Sequence, residues 1–384
     1  MTKSKVNCNI ECDSILLVAG GSKGNKSAAN NQNKLIKLLN EIFDQVYLIT
    51  FCDEEQDFQI PENRILFLDS YNSALSKFLF NQIREVKYIN RILANTTIDM
   101  VLFSFGQDLN IIPILYTKLL GKKVILRSSG RPSKILSKYI GDKYRIKTTI
   151  FRIIEEINYR IVDQILTECE YAIKENDFDK YGKTYTANLF IDTILFVPIK
   201  EYHEREFDIG YLGRFSEEKG VRKFLQSIPL LLHTNPRLNI FVAGEGDLKS
   251  EMINFIQEKR INHNITMHQW IPHKNLPFYL NNIKLLIIPS KREGLPNIAL
   301  EAMASGAIVL ATPVGSIPGI IKNTTTGFIL NDSNPKTIAN GIIHAINDPR
   351  LEMIVENANL LVNENYSFQK TIEQLRKVLC DKNG

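Results

Sequence analysis

Short runs of β-branched and other apolar residues alternate with longer amphipathic segments along the whole of this 384-residue chain. This alternation constrains the fold most, because repeated βαβ units leave such a pattern, and those units stack into parallel sheets covered by helices. In the first half, strands are expected at 14–19, 45–50, 64–69, 100–104, 123–127, 164–167 and 184–188, with helices at 27–41, 73–95, 108–120, 145–162 and 169–180. A polar stretch opened by Pro198, PIKEYHEREFD, interrupts the series and reads as a linker. The alternation then resumes, with strands at 208–212, 239–243, 265–269, 284–289, 308–312 and 328–330. Helices are expected at 221–233, 248–259, 275–280, 297–305 and 335–347, and a last one at 367–380. The expected division is a first domain at 1–198, a linker at 199–207, a second domain at 208–365 and a terminal helix within 366–384. The expected architecture is α/β, with two Rossmann-like domains facing each other across a cleft.

Composition excludes several classes. A net charge of +5 is too modest for a nucleic-acid binder. Five scattered cysteines lack paired ligand spacing and read as reduced thiols of a cytosolic protein. His263, His268 and His273 are regularly spaced but fall across two loops and a strand end, so no metal site is expected. No segment approaches the roughly 20 apolar residues that span a bilayer, so the chain is expected to be cytoplasmic or peripheral on the inner face of the membrane.

One segment carries most of the chemistry: PSKREGLPNIALEAMASG, 289–306. It follows the apolar run KLLII, so it lies at the carboxyl end of a strand, where open α/β sheets bind ligands. Pro296 and Gly306 bracket a helix start and stop. Glu293 therefore belongs to the loop and Glu301 to the helix body. Residues 299–304 are apolar except for Glu301, and a carboxylate in such a helix is partnered or faces a site. The amides of Gly294, Leu295 and Asn297 lie near the helix start and can receive an anion.

Two further loops follow strands of the second series. GYLGRFSEEKG at 210–220 offers Gly213, Arg214 and Lys219; the two cations either hold a diphosphate or pair with Glu217 and Glu218. AGEGD at 243–247 places Gly244 and Gly246 either for close approach to a ligand or for an ordinary tight turn. In the first half, AGGSKGNKSA at 19–28, including Gly21, resembles half of a phosphate cradle but fits neither GxxxxGK[ST] nor GxGxxG.

Together, GYLGRFSEEKG, FVAGEGD, LPFYLNNIKLLIIPSKREGLPNIALEAMASGAIVLAT and the GSIPGII…TTTGFIL run ending at Leu330 resemble retaining glycosyltransferases of family 4, a glycogen-synthase-like group with the GT-B fold. The resemblance covers about 120 residues in the family's order. It implies a nucleotide-diphosphate sugar donor, a UDP-sugar first, held mainly by the second domain. It assigns Arg214 and Lys219 to the diphosphate, Glu293 to hydroxyls of the transferred sugar and Glu301 to the ribose. It further implies a first domain serving the acceptor, a terminal helix returning to that domain, and retention of configuration with no cofactor and no essential metal. The acceptor is expected to be a saccharide or a polyprenyl or other lipid-linked sugar, in cell-surface polysaccharide, glycan or glycolipid synthesis. A GT-B nucleotide-sugar epimerase and an inactive sugar-nucleotide-binding partner are the alternatives.

The first domain departs from the family pattern. VILRSSGRPSK at 124–134 has no histidine where many relatives carry one, and Arg127 or Arg131 is expected to meet an anionic acceptor or the donor phosphate. Residues 118–160 hold twelve Lys or Arg against three acids. Ile146, Ile150, Ile153, Ile154, Ile157 and Ile161 recur among them at helical spacing. Such a stripe is expected to face the core with its cations solvated; the alternative is an anionic membrane surface as partner.

Overall fold

The computed structural model describes residues 13–20, 26–51, 58–68, 75–140 and 145–380. The chain forms two compact units, one of residues 1–189 with 371–384 and the other of residues 190–370.

Unit 1 carries β1 (Ser14–Ala19), β2 (Gln45–Thr50), β3 (Ile65–Phe67), β4 (Met100–Ser104), β5 (Lys123–Arg127), β6 (Gln164–Thr167) and β7 (Thr184–Thr186), all parallel, in the order β3-β2-β1-β4-β5-β6-β7. Every residue of β1 and β4 is buried, as for strands covered on both faces. Its helices are α1 (Lys26–Ile42), α2 (Leu75–Leu93), α3 (Ile111–Leu119), α4 (Pro132–Ile140), α5 (Arg145–Ile161) and α6 (Glu170–Glu175).

Unit 2 carries β8 (Phe207–Leu212), β9 (Ile240–Ala243), β10 (Ile265–His268), β11 (Ile283–Ile288), β12 (Ile308–Ala311) and β13 (Phe328–Ile329), again parallel, in the order β10-β9-β8-β11-β12-β13. Its helices are α7 (Val221–Thr234), α8 (Lys249–Glu258), α9 (Leu276–Leu280), α10 (Asn297–Ala304), α11 (Ile317–Ile320), α12 (Pro335–Ile346) and α13 (Leu351–Tyr366). Alternate residues of the strands feed two cores. Ile209, Leu285 and Ile287 pack with Phe224 and Ile228 of α7 and Ile342 of α12, whereas Phe207, Leu286 and Ile288 pack with Leu300 and Met303 of α10. Full burial of a side chain such as Leu300 contributes about 1.5 to 3 kcal/mol. The helix α14 (Phe368–Cys380) runs from the end of unit 2 into unit 1, where Lys123 and Gln164 donate to the carbonyls of Leu379 and Val378.

The chain order reverses between β8 and β11, since β9 and β10 lie on one side of the pair and β12 and β13 on the other. The loops leaving these two strands therefore border the crevice where doubly wound sheets take ligands.

Two expectations need correction. Residues 199–207 are fastened to unit 2: the buried Arg205 guanidinium donates to the carbonyls of Leu280, Ile283 and Ser305, and Asn281 accepts from the Ile199 amide. The polar composition that reads as a linker serves these bonds. Four of the six isoleucines of the α5 stripe also point the other way, while Ile154 and Ile161 are half-buried. Thr148, Glu155, Asn158 and Tyr159 are buried, while Ile146, Ile150, Ile153 and Ile157 face solvent. The inner face is polar because it meets a buried polar network under residues 108 and 133. Glu155 accepts from the amide and hydroxyl of Ser133, each at 2.6 Å, and Asn158 donates to the Asp108 carbonyl.

Candidate functional site

The loop after β11 is built around Glu293. Ser290, buried at the strand's end, donates to Glu293 Oε1 at 2.6 Å, and Lys219 from the loop after β8 donates to both carboxylate oxygens at 2.8 Å. The Glu293 side chain is 8% exposed and that of Lys219 31%. A pair so far out of water gains Coulomb energy and loses hydration in similar amounts, so it fixes geometry more than it adds stability.

Backbone contacts hold this loop against its neighbours. The Lys291 amide donates to the Glu218 carbonyl at 2.8 Å, and the Ser316 amide to that of Gly294 at 3.1 Å. Gly315 sits at φ +55°, and a Cβ there would lie 1.8 Å from the Glu293 carbonyl oxygen. The loops after β8, β11 and β12 thus form one body.

Arg214 is exposed, and its guanidinium makes no hydrogen bond or ion pair with a described residue; its carbonyl accepts from the Tyr211 hydroxyl at 2.9 Å. Glu217, one of the partners considered for it, is engaged by Arg222 and Lys291. Gly244 and Gly246 bring the loop after β9 onto the loop after β8. A Cβ on Gly244 would meet the Gly213 carbonyl oxygen at 1.9 Å, and Phe215 donates to the Glu245 carbonyl at 2.8 Å. These glycines are explained by backbone packing around Gly213 and Arg214.

The helix α10 starts after Pro296, with Asn297 as its first residue and Gly294 and Leu295 in the approach. Glu301, one turn in, is buried, and its Oε1 accepts from His273 Nε2 at 2.8 Å. His273 lies after β10, with its ring edge-on to Phe196 at 5.3 Å between centroids. Glu293 is thus set by the Lys219 ammonium and Glu301 by the His273 N–H.

Arg127 and Arg131, the two candidate arginines of unit 1, are turned inward. Arg131 is buried, donating through Nε to the Asn176 carbonyl at 2.6 Å and through Nη2 to the Tyr181 hydroxyl at 2.9 Å, with Glu156 at 3.5 Å. Its guanidinium also lies over the rings of Tyr159 and Phe178. These contacts hold the guanidinium within unit 1. Arg127 is buried too, with Glu168 at 3.4 Å and the Phe105 ring 5.4 Å away. Gly21 lies outside the described residues.

Ser290, His273 and Gly315 are the site residues that sequence reasoning missed. Ser290 had a signal in its place directly after a strand. His273 had none, because its partner lies 28 residues away. Among the described residues no group of three or more His, Cys, Asp or Glu could hold a metal ion, and no helix is long and apolar enough to cross a membrane.

Residues 196–361 match the family model described as Glycosyl transferases group 1. The chain is 29% identical over 188 residues to the capsular polysaccharide biosynthesis glycosyltransferase CapM of Staphylococcus aureus, covering 47% of this chain and 48% of CapM. It is 25% identical over 166 residues to alpha-D-kanosaminyltransferase of Streptomyces kanamyceticus, covering 43% of each. The chain thus spans about half the length of the curated relatives it matches. Among solved structures, it superposes on sucrose-phosphate synthase from Thermosynechococcus elongatus with a TM-score of 0.74 at 16% identity, covering 96% of this chain and 98% of that one. Anabaena HepE in complex with UDP and glucose gives 0.73 at 14% identity, covering 95% and 99%. Residues 196–361 thus match the glycosyltransferase group 1 model, and the chain shares its two-sheet α/β fold with sucrose-phosphate synthase and HepE.

Proposed function

We propose that this chain transfers a sugar, with retention of configuration, from a nucleotide-diphosphate donor to a saccharide or lipid-linked acceptor in cell-surface polysaccharide, glycan or glycolipid synthesis. The carrying observation is the Lys219–Glu293–Ser290 cluster at the switch point of the unit 2 sheet. The group 1 match over the same residues and the capsular role in CapM's name support the reading. The UDP-glucose held by HepE makes a uridine donor the first choice.

In the proposed reaction the anomeric C–O bond to the diphosphate breaks, and its electron pair leaves on the phosphate oxygen. The acceptor hydroxyl oxygen forms the new bond, and its proton passes to the departing phosphate. Lys219 and the exposed Arg214 face the charge that grows on that phosphate, an effect worth roughly 3 to 4 kcal/mol for one well-placed group. Lys219 donates to both oxygens of Glu293 and Ser290 to Oε1 alone, so Oε2, with one donor against two, is the oxygen that takes a sugar hydroxyl. A carboxylate so engaged aligns the sugar and is no covalent nucleophile. Glu301, oriented by His273, takes the ribose hydroxyls. The amides around Gly294, Leu295 and Asn297 complete the phosphate cradle.

A panel of uridine, guanosine and adenosine diphosphate sugars tests this by thermal shift and donor hydrolysis. A uridine diphosphate sugar is expected to raise the melting temperature and to be hydrolysed slowly, with the released sugar keeping its anomeric configuration. Unchanged rates under a metal chelator are expected as well. No stabilisation by any sugar nucleotide would overturn the proposal.

A further inference from the structure

Three neighbouring helices of unit 1 expose apolar side chains on their outer faces. On α5, Ile146 is 80% exposed and Ile153 55%, with Ile150 and Ile157 completing an i, i+4, i+7, i+11 stripe opposite the buried face. On α2, Phe80 and Ile83 face out while Gln82 and Glu85 are buried. On α3, which packs against both, Leu115 and Leu119 are exposed. Large apolar side chains exposed together on helices that bury polar ones mark an interaction surface.

The charges around the stripe say what covers it. Arg145, Arg152 and Arg160 fall along one flank of the α5 stripe and Lys147 along the other, all exposed. On α2, Lys87 and Arg91 are exposed. The acids of these three helices are Glu85 and Glu155, both buried, and Glu156, which is paired with Arg160 and Lys180. An apolar stripe rimmed by cations and free of exposed unpaired acids is complementary to a surface that is apolar inside and anionic outside.

We propose that the outer faces of α2, α3 and α5 form a docking surface for an anionic lipid bilayer, with the α5 isoleucines inserted at the level of the headgroups and the flanking cations on lipid phosphates. This stands apart from the transferase reading, since every residue concerned belongs to unit 1 and none to the donor site.

Vesicle sedimentation of the full chain tests it, comparing phosphatidylcholine with phosphatidylcholine mixed with phosphatidylglycerol. The protein is expected to pellet with the mixed vesicles, to be released by salt and to stay in solution with phosphatidylcholine alone. The double variant Ile150→Glu, Ile153→Glu should weaken binding by about tenfold or more, and Arg152→Glu by several-fold. Both sites are on the surface, so the melting temperature should be kept, and uridine diphosphate sugar binding should match that of the parent chain. Equal sedimentation with both vesicle types, sedimentation with neither, or undiminished binding by the double variant would overturn the proposal. So would a dimer in light scattering that the double variant dissociates, because a second copy would then cover the face.

Discussion

Lys219 and Glu293, 74 residues apart in the chain, meet with the ammonium nitrogen 2.8 Å from both carboxylate oxygens. The contact depends on β8 lying next to β11, the one place where the strand order of unit 2 reverses. Removing either member leaves the other partly buried without its counter-charge. Lys219→Ala should therefore cost about 1 to 3 kcal/mol of stability as well as activity. Both Lys219→Ala and Glu293→Ala should lower transfer by about 100-fold or more with the fold retained. Initial rates with a radiolabelled donor, alongside circular dichroism, check this. Near-parental turnover in both variants would remove the pair from the mechanism.

Gly315 separates loop geometry from chemistry. At φ +55°, with the Glu293 carbonyl oxygen 1.8 Å from where a Cβ would stand, alanine is both strained and obstructed. Gly315→Ala should cost roughly 1 to 3 kcal/mol and displace the Glu293 loop. Transfer should then fall even though no polar group is lost. Thermal melting and donor titration read the two effects separately.

His273 tests the proposed role of Glu301. If the imidazole N–H orients the carboxylate toward a ribose, His273→Ala should raise the donor KM by about 10- to 150-fold, the value of one hydrogen bond to a charged group, while kcat changes little. Glu301→Gln should act in the same direction. A fall in kcat at unchanged KM would place the pair in the chemical step.

The strands were the most legible part of the fold. The apolar runs of β1, β2, β4, β5 and β6 are bounded by polar or turn residues, and their limits can be read from composition. α13 was not legible, because Asn357, Asn359 and Asn363 interrupt its apolar positions and it starts without a side-chain cap. The direction of α5 was missed for a different reason: periodicity marks an apolar face but not which way it points, and here the inward face meets the polar network of Glu155 and Asp108. At the site, Glu293, Glu301 and the loop cations stand out by spacing. Their pairing was hidden, since Lys219–Glu293 and His273–Glu301 are set by strand order and loop packing.

Arg131 carries a structural expectation. Its guanidinium is spent on Asn176, Tyr181, Glu156 and two aromatic faces. Arg131→Ala should lower the stability of unit 1 by about 3 to 5 kcal/mol, the cost of breaking a buried charged network. Lysine should restore little, because a single ammonium cannot reproduce the planar fork. Urea unfolding gives the stability. A variant as stable as the parent, but with a raised acceptor KM, would return Arg131 to acceptor binding.

Glu85 predicts a pH dependence. Burial raises its pKa from 4.5 to about 8, against the opposing hydrogen bond from Asn110 at 2.8 Å, so the folded chain holds this carboxyl neutral at pH 7. Between about pH 4.5 and 8 the unfolded chain releases the proton while the folded chain keeps it. Stability therefore falls as pH rises through that window, by up to about 1.4 kcal/mol per unit. Glu85→Gln removes the titrating group and keeps a carbonyl for Asn110. The other groups titrate alike in both proteins, so the difference in their urea midpoints isolates Glu85. The variant should gain on the parent steadily from pH 5 to pH 8. A difference that stays constant across that range would show that Glu85 is already ionised in the folded chain.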